Sequence, residues 1–273
     1  MPDTHIQTPD KKHNSSEHHH HDHHSTPIQL KMGSKSYSIL SHCPDLSVKQ
    51  TKRGWLRELM GCEAKTEFNI RSSRNGHSMF ASETSSDVLR FLLPKTHPWD
   101  MTLWHGRTST APSVEILEYN RPLRMPFSRF KCFCHQTVRL SDTSGKFLGE
   151  TIENFFCCVP NFDVRDGNGD TEYVISQPTC LDGTFVDFFA EGVFNLRQPF
   201  YVYEKGTQHI AGQEVAKIVK VWSGLSKELC TDADNFEISF NQIHNPASKA
   251  RLVGSLFLLN QLYFEGKSSF WCL

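Results

Sequence analysis

Apolar and polar residues alternate along much of this chain with the two-residue period of a strand. In "TEFNIRSSRNGHSMF", at 66–80, Phe68 and Ile70 fall on one side and Asn69 and Arg71 on the other, before a turn carrying Gly76. The unit recurs as "QTVRLSDTSGKFLGE" at 136–150, "NFDVRDGNGDTEYVI" at 161–175 and "PFYVYEKGTQHIAGQEV" at 199–215. Successive strand side chains point to opposite faces, and alternation around Gly, Asn and Asp turns is the mark of hairpins. Hairpins in series, with little helical periodicity between them, predict an all-β antiparallel architecture. Residues 55–60, "WLRELM", suggest a short helix or an extended arm.

One segment departs from the pattern. In "ASKARLVGSLFLLNQLYFEG", at 247–266, the run 252–264 holds no charge. Wound as a helix, it is apolar all round, with Leu252, Val253, Leu256, Phe257, Leu259, Leu262 and Tyr263 spread over every side. Such a helix must be buried on all sides, in a bilayer or in a protein core. Thirteen residues at ~1.5 Å each reach only ~20 Å, against a hydrocarbon thickness of ~30 Å. Asn260 and Gln261 interrupt the run, and Arg251 and Glu265 bound it. A β-barrel closed around the helix is the less costly solution.

The stretch "TDADNFEISF", at 231–240, opens like a calcium loop and ends like a strand. Calcium loops of the EF-hand type place oxygen ligands at alternate positions, Gly at the sixth and a bidentate carboxylate at the twelfth. Counted from Asp232, the sixth position is Glu237 and the twelfth is Ile243. Two readings stand. In one, "TDADN" is a turn with Asx hydrogen bonding, and Phe236, Ile238 and Phe240 face inward from a strand while Glu237 and Ser239 face out. In the other, Asp232 and Asp234, helped by Asn235 and Glu237, hold calcium with a Kd of ~10⁻⁴ to 10⁻³ M.

Composition narrows the classes. The 273 residues carry a formal net charge of −1, so no global field draws the chain to nucleic acid or to an anionic surface. Any electrostatic docking is local. Nine cysteines, irregularly spaced and without a C-x-x-C pair, favour reduced thiols over a disulfide framework or a structural zinc. Residues 1–12 lack the apolar segment of a signal peptide. Residues 1–36, with "SSEHHHHDHHSTP", form a low-complexity tail expected to be disordered, since it cannot bury enough apolar surface to offset its ordering entropy. Neither a G-x-x-x-x-G-K phosphate loop nor a G-x-S-x-G elbow occurs.

Specific words in the sequence sharpen this outline. "EYNRPLR" at 118–124, "FKCFCHQ" at 130–136 and "KIVKVWSGLSKELCTDADNFEISF" at 217–240, followed by the apolar helix, resemble the phospholipid scramblase domain. The likeness runs in order over 37–266, leaving a short tail at 267–273. It implies a tubby-like fold: an all-β, closed antiparallel barrel of about twelve strands around one buried apolar C-terminal helix. It also implies calcium-triggered, ATP-independent movement of phospholipids between plasma-membrane leaflets, with no bond chemistry. The family's palmitoylated cysteines correspond to Cys132 and Cys134, although its dense cysteine run is reduced to these two.

Around these cysteines, Arg121, Arg124, Arg129 and Lys131 interleave with Phe127, Phe130 and Phe133. Cations near an anionic inner leaflet contribute about 1 kcal/mol each, and aromatic rings favour the interface. The plain alternative is an exposed loop with reduced thiols. Cys157 and Cys158, among strand-like residues, are expected in the core. Lys217, Lys220 and Trp222 match the family's nuclear-import stretch, which implies a nuclear pool; a strand with one charged face explains the lysines equally. Two functions result: a calcium-responsive scramblase on the cytoplasmic face of the plasma membrane, or a membrane-docked tubby-like module that binds phosphoinositides or proteins without transport.

Overall fold

The alternating segments form strands because one side of each can be buried and the other solvated. The structure, a computed structural model, describes residues 30–31, 36–52, 66–93, 96–106, 114–124, 135–155, 159–177, 197–207, 209–210, 212–221 and 234–264. A two-residue strand, β1 (Leu30–Lys31), and a 3₁₀ helix (Ser36–His42) precede the main elements. The first six of these are β2 (Asp45–Lys52), β3 (Thr66–Arg71), β4 (Ser78–Thr84), β5 (Trp99–His105), β6 (Val114–Arg121) and β7 (Thr137–Asp142). The next six are β8 (Phe147–Glu153), β9 (Asn161–Asp166), β10 (Thr171–Ser176), β11 (Arg197–Glu204), β12 (Ala216–Val221) and β13 (Asn235–Ser239). A short helix α1 (Asp87–Leu92) links β4 to β5, and α2 (Pro246–Leu259) runs into a π turn (Asn260–Phe264).

Strands β2 to β13 pair antiparallel in the order β6-β5-β4-β3-β2-β13-β12-β11-β10-β9-β8-β7, and β6 pairs with β7 to close the ring. Closure leaves the twelve-stranded barrel without an open edge. The parallel pairing of β1 with β6 adds two residues outside the ring. The expected hairpins at 66–80, 136–150 and 161–175 are β3–β4, β7–β8 and β9–β10. In the fourth, only the first limb is a strand: β11 is followed by an irregular connection, and pairing resumes at Ala216.

The apolar helix lies inside. All of 248–259 is buried, and Phe257 packs its ring 4.8 Å from Phe68 and 5.2 Å from Tyr119. Leu252, Val253, Leu256 and Leu259 are buried with it, while Leu262 and Tyr263 pack at the edge of the core. Pro246 at the first turn and the Asn245 side chain, which accepts from the Ala247 N–H at 2.9 Å, start the helix. Gly254 permits the tightest approach: a Cβ there would stand 2.8 Å from the Tyr119 ring.

The two cations of the first turns are buried and partnered. Lys249 donates to the Cys43 carbonyl at 2.6 Å; Arg251 donates to the Leu148 carbonyl at 2.8 Å and pairs with Glu172. Cys43, the one cysteine among the described residues, is a buried free thiol. Residues 55–60, Cys157 and Cys158, and the histidine tract lie outside the described residues, and so does the tail at 267–273.

Candidate functional site

Antiparallel order sorts the connections between the two ends of the barrel. At the end where α2 begins, turns such as 143–146 and 167–170 are short, with Gly145 and Gly169 at positive φ. At the end where α2 finishes, the strands are joined by 53–65, 85–98, 122–136, 154–160, 177–196 and 222–234. This second mouth therefore receives both stretches that the sequence singles out. The strands that carry them do not meet there. The gap between β6 and β7 and the gap between β12 and β13 are separated by six strands either way round, β6-β5-β4-β3-β2-β13 or β7-β8-β9-β10-β11-β12.

At the acidic turn, strand parity decides the geometry. Asp234, Phe236, Ile238 and Phe240 face inward and are buried, Glu237 is exposed and Ser239 is half-buried, as the strand pattern requires. Asp234 Oδ1 takes an ion pair from Lys220 Nζ at 2.6 Å, its backbone carbonyl accepts from Gln50 N at 2.9 Å, and the Phe264 ring centre lies 4.4 Å from the Lys220 ammonium. Asn235 sits in the ladder opposite Lys49 and Val221. Glu237 thus points away from Asp234, and Asp232 lies outside the described residues. The described part supplies one carboxylate, already neutralised, and this does not make a calcium site by itself. Among the described residues no group of three or more His, Cys, Asp or Glu side chains is placed to hold a metal.

The import-like lysines separate for the same reason. Three positions apart on β12, they face opposite ways: Lys220 turns inward, and Lys217 lies over the Tyr201 ring at 4.9 Å. Trp222 lies outside the described residues.

At the opposite gap, Cys132, Cys134, Phe127, Arg129, Phe130, Lys131 and Phe133 are outside the described residues, but the stem that carries them is defined. Arg121, expected to face a leaflet, is instead fully buried, and its Nη2 donates to Gln136 Oε1 at 2.6 Å. It shares the inward face of β6 with Leu117 and Tyr119, a two-residue parity visible in the sequence. Arg124 is half-buried and donates to the His135 carbonyl at 2.9 Å, while Gln136 Nε2 donates to the Arg124 carbonyl at 3.1 Å. Two reciprocal bonds therefore hold 124 beside 135 and 136 and fix where the intervening segment leaves the barrel.

A third cluster had no sequence signal. Glu83, at the end of β4, is buried against Arg90 Nη2 at 2.5 Å and His97 Nε2 at 3.1 Å. Gln261, in the π turn, bonds the His97 ring at 3.1 Å and accepts from the Trp99 indole. Burial by itself would raise the Glu83 pKa. The His97 hydrogen bond and the Arg90 charge outweigh it and hold the carboxyl at about 2. The end of α2 is thereby tied to the β4–β5 connection.

Comparison with known proteins follows this geometry. The family model described as Scramblase matches residues 24–266. Phospholipid scramblase 2 of Bos taurus is 27% identical over 210 residues, which cover 77% of this chain and 65% of the relative. Phospholipid scramblase 1 of Homo sapiens is 26% identical over 214 residues, 78% of this chain and 61% of the relative. Phospholipid scramblase family member 5 of Homo sapiens is 25% identical over 223 residues, 81% of this chain and 74% of the relative. The chain thus spans less than two thirds of the length of the first two. No solved structure matches.

Proposed function

The chain belongs to the Scramblase family, and from that membership we propose that it moves phospholipids between the two leaflets of a membrane, without ATP and without making or breaking bonds. The observation that carries this reading is the extent of the match, which takes in all twelve barrel strands and the central helix. In the same proposal the barrel docks on the cytoplasmic face of the plasma membrane. Cys132 and Cys134 carry palmitate, and the basic and aromatic residues 124–133 meet anionic headgroups. One acyl chain anchors only marginally, and a second signal makes the attachment stable. The calcium response belongs to Asp232 and Asp234, with Lys220 as the competing cation.

The buried helix gives a specific reason to keep a second reading. Among the described residues no helix is long and apolar enough to cross a membrane, and α2 is enclosed by the barrel. Lipid movement by this fold would work from the surface, by distorting the bilayer or in oligomers. A membrane-docked binding module needs neither. Purified protein in liposomes with labelled lipid on one leaflet separates the two. Calcium-dependent loss of asymmetry supports scrambling; tight vesicle binding with asymmetry preserved favours the binding module.

A further inference from the structure

Helix α1 turns a cation inward and two apolar side chains outward. Arg90 is 2% exposed, held inward by Glu83 and by the Ser85 hydroxyl at 2.6 Å. Val88 and Leu92, four positions apart on one face, are 66% and 63% exposed. Water would favour the reverse arrangement, and the buried Glu83–Arg90–His97 cluster prevents it. Two further large apolar side chains stand out at this mouth: Leu123, just after β6, and Phe155, just after β8. Strands β4, β5, β6, β7 and β8 are consecutive neighbours in the ring. These four side chains therefore occupy one arc of the rim.

We infer that this arc, Val88, Leu92, Leu123 and Phe155, is the surface by which the barrel seats on a lipid bilayer, mouth down, with the finish of α2 toward the membrane. The inference rests on the proposed membrane function and names the face that serves it. Charge favours lipid as the occupant. The connection 122–136, in the middle of the arc, carries Arg124, Arg129 and Lys131 and no acidic residue, which suits an anionic leaflet. The opposite mouth mixes Asp45, Asp166, Asp170, Glu204 and Glu214 with Arg71, Arg74, Lys146 and Lys205, so it offers an anionic leaflet no comparable basic stretch free of acidic residues. Exposed Ile210 and Phe147 belong to that far mouth, on separate connections.

The test compares the full chain with a Val88→Ser, Leu92→Gln, Leu123→Ser, Phe155→Ser variant, using sedimentation with vesicles of phosphatidylcholine and phosphatidylserine. The expected result is a loss of vesicle affinity of roughly tenfold or more, because apolar area no longer leaves water on docking. The melting temperature should hold or rise, and Ile210→Ser, at the far mouth, should bind like the parent. Unchanged binding by the rim variant overturns the inference. A fall in melting temperature with binding unchanged shows that the chain's own segments cover the arc, and also overturns it. Scrambling is scored separately: transport that survives with unaltered binding in the rim variant removes the arc and leaves the proposed function standing. Rim-dependent binding without transport does the opposite.

Discussion

Lys220 Nζ stands 2.6 Å from Asp234 Oδ1 on the inner side of the barrel wall, with the ammonium over the Phe264 ring. The pair joins the acidic turn to the end of the central helix, so any cation that enters at Asp234 first has to displace an ammonium. Lys220→Gln removes that competitor. Millimolar calcium is expected to raise the melting temperature of Lys220→Gln more than that of the parent, and Asp234→Asn should abolish the difference. Equal responses in all three proteins would rule out calcium at this turn.

The Glu83 cluster predicts an acid limb of stability. The folded carboxyl is held at about 2 against an ordinary value of 4.5. A depressed carboxyl contributes stability above its unfolded pKa and loses it as pH falls through the folded one, so the window lies between about pH 4.5 and 2. The size is on the order of 3 kcal/mol. Glu83→Gln should unfold at lower urea than the parent at neutral pH and lose part of its slope between pH 5 and 2, a range set by the same linkage. Urea midpoints across that range provide the measurement.

Gly254 faces the Tyr119 ring, which is buried and donates its hydroxyl to the Ala250 carbonyl at 3.1 Å. In an open helix, alanine would be better than glycine by about 1 kcal/mol. Here the added methyl meets the ring at 2.8 Å, so Gly254→Ala is expected to destabilise by roughly 1–3 kcal/mol through overpacking. Thermal denaturation reads the sign directly. Stabilisation would mean that the helix sits less deeply than described.

Acylation at Cys132 and Cys134 makes a cellular prediction. With both replaced by serine, one of the two anchoring signals is gone, and most of the protein should move from the membrane pellet to the soluble fraction. Replacing Arg124, Arg129 and Lys131 together should give a smaller shift that grows with ionic strength. Retention of the double serine variant at the membrane would exclude the acyl anchor.

Much of the wall could be read from the chain because a strand with one buried face writes its orientation into alternate residues. Phe68 and Ile70, and Phe236, Ile238 and Phe240, all turn inward as the pattern requires. The central helix was legible because 252–264 is apolar on every side and too short to span a bilayer. Arg121 was misassigned by its chemistry: its charge suggested a leaflet, while its parity with Leu117 and Tyr119 placed it inside. The Glu83–Arg90–His97–Gln261 cluster left no trace, because Glu83, Arg90 and His97 follow no periodic pattern over the end of β4 and the β4–β5 connection, and Gln261 reaches them from 164 positions away only when the central helix is in place. Glu237 failed as a helper to Asp234 for a plainer reason, since residues three apart on a strand face opposite ways.

The placement of α2 fixes when folding can finish. A ribosome makes the twelve walls of the barrel first and their filling last, and β2 waits for β13 across the 184 positions between Gln50 and Asp234. Until residues 246–264 have emerged, the inward-facing rings of Phe68, Tyr119, Phe162, Phe200 and Phe236 lack the rings they pack on. Growth from the N-terminus therefore yields no stable intermediate barrel, and a chain cut short before the helix is prone to aggregate rather than to form a smaller domain. Walls and filling therefore become stable together, when 246–264 joins the strands.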